Sequence, residues 1–158
     1  MATAPTLSSV LDLTRPLIAA GASLHWLNPF DFIDENGSKR GKTPRVNKWS
    51  EAPTLDLEGL TREYRNRSNI GIRLGEPSKL HGYYLHIIDL DIRKIELADE
   101  AVAKLLELWP AALTFPSVIS GSRGASRHLY FLSREPFRKL KLAKSKTSQL
   151  VWDDSQKR

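Results

Sequence analysis

The chain has 158 residues, of which 41% are hydrophobic and 27% are charged, with a net charge of +6 and no cysteine. This length suffices for one globular domain with a substantial core. The lack of cysteine excludes a disulfide scaffold and any cysteine-ligated zinc or iron–sulfur centre, and it fits the reducing cytoplasm, where we expect the protein to act. The sequence contains no apolar run near about 18 residues and no signal segment, so we expect no membrane partner.

The excess positive charge is unevenly distributed along the chain. Residues 133–158 carry 8 basic and 3 acidic side chains, whereas residues 81–132 carry 5 basic and 6 acidic ones. A basic flank beside a slightly acidic centre suits a polyanion that is held by the flank and acted on at the centre. A solvated basic tail is the alternative interpretation of the charge run.

The first predicted elements are a helix and a short strand, which we assign to the scaffold. Ser8 or Ser9 can cap a helix that Gly21 ends, and Pro16 should kink or split it. Residues 23–27 then read as a strand.

A cation-rich loop follows and ends in a tryptophan. Asn36-Gly37 predicts a tight turn, because this pair favours hairpin turns. Five cations then occur within ten residues: Lys39, Arg40, Lys42, Arg45 and Lys48. Such a loop can hold nucleic-acid phosphates, and Trp49 can stack on a base or sugar. The alternative is a solvated loop with the tryptophan folded back onto the core.

The next segment combines a capped helix with a strand that contains a glycine. Asp56 is predicted to cap a helix that ends near Arg67, and residues 69–75 read as a strand. Gly71 inside that strand indicates a bulge or the close approach of another backbone or a ligand. Arg73 is the charged residue of this apolar strand and can reach a phosphate, although an arginine on an edge strand would give the same pattern.

Two aspartates at the end of an apolar strand are the main chemical signal. Residues 83–90 are apolar on both faces, which predicts a central strand. Side chains alternate between faces, so Asp89 and Asp91 project from one face, about 7 Å apart, while His86 points away and packs in the core. The two carboxylates repel each other, and either a divalent cation or a basic partner must compensate.

A helix and a hairpin follow the two aspartates. Residues 95–108 form a predicted amphipathic helix, and residues 115–120 and 126–132 form two predicted strands. The bend between these strands is rich in small residues, and its amides, with Ser120, Ser122 and Arg123, can cradle phosphate oxygens.

The return strand of this hairpin carries a candidate catalytic histidine. Ser126, His128 and Tyr130 share one of its faces. A histidine on a strand is usually structural, but this one follows a bend suited to anions, so we favour a functional role. The basic segment that comes next includes Lys139 and Lys141, which we assign to nucleic-acid contact.

In combination, these residues resemble the archaeo-eukaryotic primase superfamily, in particular the N-terminal domain of bifunctional primase–polymerases (Prim-Pol) of plasmids, phages and mobile elements. The resemblance covers residues 10–135 and rests on four motifs in the family's order. They are Gly41-Lys42-Thr43-Pro44 with Trp49; Asn69-Ile70-Gly71-Ile72 with Gly75; Ile87-Ile88-Asp89-Leu90-Asp91; and Ser120-Gly121-Ser122-Arg123-Gly124-Ala125-Ser126-Arg127-His128.

The resemblance implies an α/β (α+β) fold, with a mixed sheet, a catalytic half like an RNA-recognition motif, and flanking helices. The single domain would span residues 1–158, with an N-terminal lobe at 7–80 and a catalytic half at 81–158. DNA template and primer and nucleoside triphosphates would be the substrates, and a helicase or another replication domain would be a partner.

The resemblance also implies roles for individual residues. Asp89 and Asp91 would hold two divalent metals, Mg²⁺ or Mn²⁺, and His128 with Ser126 would contact the phosphates of the incoming nucleotide. The remaining candidates for nucleotide binding are Ser120, Ser122, Arg123, Lys42 and Arg73.

The third metal ligand is the point at which the sequence departs from the family. Asp153 follows the apolar triplet at residues 150–152 and is the candidate, but the chain ends before the strand could continue. We therefore expect either a degenerate end or a fragment of a longer protein. The zinc-binding insertion found in many family members is not expected here, because cysteine is absent.

Three functions remain open on the sequence. The first is an enzyme that performs template-directed nucleotidyl transfer as a primase, a polymerase or both. The second is a non-catalytic nucleic-acid or nucleotide-binding replication module. The third is a metal-dependent phosphodiesterase, which would use the same aspartate pair and histidine.

Overall fold

The structure, a computed structural model, describes residues 6–92, 95–119, 126–137, 143–146 and 149–152. It divides into two compact units, Met1–Leu85 and His86–Arg158. Helices combine with antiparallel sheets, so the predicted α+β class is confirmed. Within the described residues, no helix is both long and apolar enough to cross a membrane.

The first unit contains two helices and the strands that pack against them. Its elements are α1 (Leu7–Ala20), β1 (Ser23–Leu27), α2 (Leu57–Glu63), β2 (Asn69–Arg73), β3 (Gly75–Leu80) and the start of β4 (Tyr83–Leu90). β1 pairs antiparallel with β2 and β3 pairs antiparallel with β4. The core contains the buried residues Ala22, Leu24, Trp26 and Leu60, and the Trp26 indole donates a hydrogen bond to the Leu60 carbonyl at 2.9 Å.

The predicted start of α1 was wrong, and Pro16 does not split the helix. Thr6, rather than Ser8 or Ser9, caps the helix, because its hydroxyl accepts a hydrogen bond from the Ser9 amide at 3.3 Å. Pro16 lies inside one continuous helix. Pro16 is on the exposed surface, where solvent can satisfy the backbone groups that a proline leaves unpaired.

Two other predicted boundaries were also wrong. α2 begins after its predicted cap, Asp56, which accepts a hydrogen bond from the Gly59 amide at 2.7 Å, but it ends well before Arg67. The helix ends because Tyr64 has an extended backbone, with a ψ of 140°, and Arg67, with a φ of 63°, is left-handed and could not resume it. The strand predicted at residues 69–75 ends at Arg73, because Gly75, with a φ of 74°, redirects the chain into β3.

Among its described residues, the second unit contains the remainder of β4, one longer helix and two hairpins. Its further elements are a 3-10 turn (Ile95–Leu97), α3 (Ala98–Leu108), a second 3-10 turn (Pro110–Thr114), β5 (Ser117–Ile119), β6 (Arg127–Ser133), β7 (Ala143–Lys146) and β8 (Gln149–Trp152). The strand order is β3-β4-β6-β5, so β4 is an inner strand, as predicted. The predicted hairpin is confirmed by the antiparallel pairing of β5 with β6.

The core of this unit lies on one face of β4 and β6. Leu129 of β6 packs with Leu105 of α3 and with Ala112, and Ile88 and Leu90 of β4 join the same cluster. His86, predicted to pack in the core, is buried and stacks on Phe131 with ring centroids 5.4 Å apart.

Candidate active site

The predicted aspartate pair and the predicted histidine come together on the ends of β4 and β6. His128 Nε2 lies 3.4 Å from Asp89 Oδ1. Ser126 Oγ donates a hydrogen bond to Asp91 Oδ1 at 3.3 Å. Asp89 thus meets His128, and Asp91, two residues later, meets Ser126, two residues earlier. The two strands therefore run antiparallel at this point.

Strand alternation explains why these polar side chains share a face. Ile88, Leu90 and Leu129 point into the core beneath α3. Their immediate neighbours Asp89 and His128 must therefore point to the opposite face, which bears the polar groups. The apolar residues of β4 and β6 thus set the direction of the catalytic candidates.

The contact between Asp89 and His128 is accessible to solvent. The Asp89 side chain is 59% exposed and that of His128 is 36% exposed. An ion pair in this setting is screened by water and forms only when the imidazole is protonated. Both groups can therefore exchange their contact for one with a ligand at little energetic cost.

Asp91 is held more firmly than Asp89. The Ile92 amide donates to the Leu90 carbonyl at 3.1 Å, which closes a three-residue turn with Asp91 at its centre. Ile92 itself is buried and packs against Leu97 and Ala101. The backbone on both sides of this carboxylate is therefore fixed.

The donor set suits a hard divalent cation in part. Two aspartates offer carboxylate oxygens, the ligands that Mg²⁺ and Mn²⁺ prefer. Within the part of the chain that the structure describes, no cluster of three or more histidine, cysteine, aspartate or glutamate residues is suited to hold a metal ion. The predicted third ligand, Asp153, lies outside the described residues.

Several other predicted site residues also lie outside the described residues. They are Ser120, Ser122 and Arg123 of the hairpin bend, and Lys139 and Lys141 of the basic segment. Their predicted roles stay predictions.

The cation-rich loop belongs to the first unit. The motif glycine Gly41 is needed because a Cβ there would meet the Phe30 carbonyl oxygen at 1.9 Å. Lys42 Nζ lies 5.3 Å from the centroid of the exposed Phe30 ring. Arg40 pairs with Asp34 at 3.1 Å. All five cations predicted to bind nucleic acid or nucleotide here are exposed: Lys39, Arg40, Lys42, Arg45 and Lys48.

Trp49 is partly exposed, and one face of its ring packs on another side chain. Its ring stacks on His25, with centroids 5.1 Å apart and an angle of 19° between the rings. His25 lies opposite Gly71, where a Cβ would come within 3.0 Å of the His25 ring. The bulge, or the close approach of another backbone or a ligand, predicted at this glycine is not what the structure shows, because the approaching group is the His25 side chain and the register of β1 with β2 is continuous. The sequence pattern did not reveal His25, since only the register of β1 against β2 brings it opposite Gly71.

Arg73, a candidate for phosphate contact, is 8% exposed. Its guanidinium donates to the Ala52 carbonyl at 2.5 Å and to the Ser50 carbonyl at 3.0 Å. These bonds fix the segment that follows Trp49. Burial, with a smaller contribution from the charge of Arg73, lowers the pKa of His25, so this ring is neutral near pH 7.

The sequence that carries these motifs matches a known family. The model of the bifunctional DNA primase/polymerase N-terminal family, Prim-Pol, matches residues 10–153. The chain belongs to the Prim-Pol family. No curated protein and no solved structure is significantly similar to it.

Membership in the Prim-Pol family gives this chain a general function. Prim-Pol domains act in DNA replication as primases and polymerases, with DNA and nucleotides as substrates. Nucleotidyl transfer is thus the reaction class of the family, and divalent metals are its usual cofactors. The match includes the aspartate pair, His128 and the basic loop.

Proposed function

We propose that this Prim-Pol domain catalyses template-directed, metal-dependent nucleotidyl transfer in the replication of a plasmid, phage or mobile element. The observation that supports this most strongly is the contact of Asp89 with His128 beside Asp91, on the accessible face of β4 and β6. Carboxylates that can hold cations and an imidazole that can bind phosphate are thereby adjacent. Nucleotidyl transfer uses cations at the reacting oxygens and donors that neutralise the triphosphate, and these residues can supply both.

Each of these residues has a separate role in the proposal. Asp89 and Asp91 hold the divalent cations, with Asp153 as the candidate for the third ligand. When bound, such cations activate the 3′-hydroxyl and neutralise the departing pyrophosphate. His128, which is part-exposed, donates from Nε2 to a phosphate oxygen of the triphosphate. Hairpin-bend residues Ser120, Ser122 and Arg123 are proposed to add further phosphate contacts.

The loop of the first unit is proposed to bind the DNA. Its exposed cations neutralise phosphates without regard to sequence. Trp49 offers a ring that is already fixed by His25, so a base can stack on it with little loss of side-chain entropy. Lys139 and Lys141 extend the same basic character in the second unit.

The test is extension of a primed DNA template with deoxynucleotides and Mn²⁺. We expect extension by the wild type and by Asp12→Ala, which removes an exposed aspartate of α1, but none by Asp89→Ala. Metal-dependent triphosphate binding without extension by the wild type would favour a binding module instead. Release of nucleotides from DNA without added triphosphate would favour a phosphodiesterase.

A further inference from the structure

The two aspartates of the motif are held in different ways. Asp89 is largely exposed, and its contact is with a side chain that is itself part-exposed. Asp91 is the central residue of the three-residue turn Leu90-Asp91-Ile92, and Ile92 is buried in a core cluster. The backbone of Asp91 is therefore fixed. A group that also limits rotation of its side chain would fix the position of the carboxylate.

Ser126 is such a group. It is 2% exposed, which makes it one of the most buried residues described. Its hydroxyl lies 3.3 Å from Asp91 Oδ1 and 3.2 Å from the Ile92 carbonyl oxygen. A serine has one hydroxyl proton, so it is shared between two acceptors, which explains why both distances exceed the usual length of an O–H···O bond.

The two acceptors make Ser126 a link between the motif and the core. The Ile92 carbonyl belongs to the anchored backbone, while Asp91 Oδ1 belongs to the side chain that would face a cation. A hydroxyl that contacts both limits rotation of the Asp91 carboxyl group relative to its own backbone. A carboxylate that is already oriented loses less entropy when it coordinates a cation.

We infer that Ser126 is a positioning residue, which orients the Asp91 carboxylate for cation binding. This role differs from the direct contact with triphosphate that the family resemblance implies for the same residue. The hydroxyl is buried and already donates to internal acceptors, so a phosphate arriving from solvent would have to displace them. The inference rests on the proposed function, because it needs Asp91 to be a cation ligand.

The test separates cation affinity from triphosphate affinity in Ser126→Ala. Direct Mn²⁺ binding, followed by electron paramagnetic resonance, should weaken by about 10-fold, the lower end of what such supporting hydrogen bonds contribute. In primer extension, the Mn²⁺ concentration at half-maximal rate should rise by a similar factor. The KM for deoxynucleotide at saturating Mn²⁺ should change by less than about twofold, because Ser126 does not touch the substrate.

A double-mutant cycle tests the route through Asp91. In an Asp91→Asn background, Ser126→Ala should have no further effect on Mn²⁺ affinity, since the oriented carboxylate is already gone. Ser117→Ala, which removes an exposed hydroxyl of β5, is the matched control and should leave Mn²⁺ affinity unchanged. Circular dichroism and the melting temperature verify that each variant is folded.

The possible failures are distinguishable. If wild type binds Mn²⁺ no better than Asp91→Asn, the proposed metal site is wrong and the inference fails with it. If wild type binds Mn²⁺ through Asp91 but Ser126→Ala binds equally well, the inference alone is wrong. A raised KM for deoxynucleotide with unchanged Mn²⁺ affinity would likewise overturn it and would restore the phosphate contact.

Discussion

Removal of Asp89 should abolish catalysis while leaving the fold almost unchanged. In Asp89→Ala the lost contact is the one to His128 at 3.4 Å, between side chains that are 59% and 36% exposed. Exposed ion pairs contribute about 0–1 kcal/mol, and solvent screening places this one in the lower half of that range. Loss of the repulsion between Asp89 and Asp91 acts in the opposite direction. We therefore expect a net change within about 0.5 kcal/mol.

This small change translates into a small shift in melting temperature. For a domain of this size, about 1 kcal/mol shifts the melting temperature by roughly 2–4 °C, so we expect a shift below about 2 °C. Catalysis should fall by roughly a thousandfold or more, because metal ions stabilise charge in the transition state by several kcal/mol. Differential scanning fluorimetry without divalent cations and primer extension with Mn²⁺ measure the two effects on one preparation.

The result that would refute this reasoning is a large loss of stability. If Asp89→Ala melts more than about 5 °C below wild type in the absence of metal, the carboxylate contributes to the fold and its contact with His128 is structural. Asp12→Ala, in which an exposed aspartate of α1 is removed, serves as the control for the loss of one surface charge.

Three further predictions concern the phosphate contact, the DNA surface and the buried histidine. His128→Ala should weaken triphosphate binding by about 10- to 100-fold in isothermal titration calorimetry, since a hydrogen bond to a charged group contributes about 1.5–3 kcal/mol; unchanged affinity would remove the role given to it. Trp49→Ala should weaken binding of single-stranded DNA by about 5- to 100-fold in fluorescence anisotropy, in line with about 1–3 kcal/mol for one stacked base. Equal affinity would show that the exposed ring face is unused. Burial lowers the pKa of His86 below its usual 6.5 in the folded protein. As the pH falls, His86 is therefore protonated in the unfolded chain at a higher pH than in the folded protein, which favours unfolding. Stability should therefore be full above pH 6.5 and decline as the pH falls below it. That decline should be shallower in His86→Gln but unaltered in His81→Asn, which changes an exposed histidine; equal slopes in all three proteins would contradict it.

Local patterns in the sequence were sufficient to predict β4, the inner strand of the sheet. The apolar run of β4 and its alternation predicted the burial of His86 and the direction of Asp89. The common face predicted for Asp91 stays a prediction, because Asp91 follows the strand in a turn. The first two properties depend on the strand's own residues, which is why they could be read directly. The hairpin of β5 and β6 was predictable for the same reason.

Some ends of helices and strands were harder to predict from the sequence. α2 ends where Tyr64 adopts an extended backbone, with a ψ of 140°, and neither a glycine nor a proline marks that position in the sequence. Gly71 indicated a bulge or the approach of a backbone or a ligand, whereas the group that approaches it is the His25 side chain. That contact depends on the register between β1 and β2, two strands separated by a long stretch of chain.

The two aspartates show the same limit at the centre of the site. Their shared motif gives them one predicted role, and strand alternation fixes only the face from which they project. They differ in their partners. Asp89 contacts the accessible imidazole of His128 in β6, whereas Asp91 contacts the buried hydroxyl of Ser126, the residue just before β6. An asparagine at position 91 can still accept the serine hydroxyl through its amide oxygen, so Asp91→Asn removes the carboxylate charge but keeps the link to Ser126. An asparagine at position 89 changes only an exposed contact with His128, which solvent already screens. The support of each carboxylate thus comes from a different partner, one buried and one accessible.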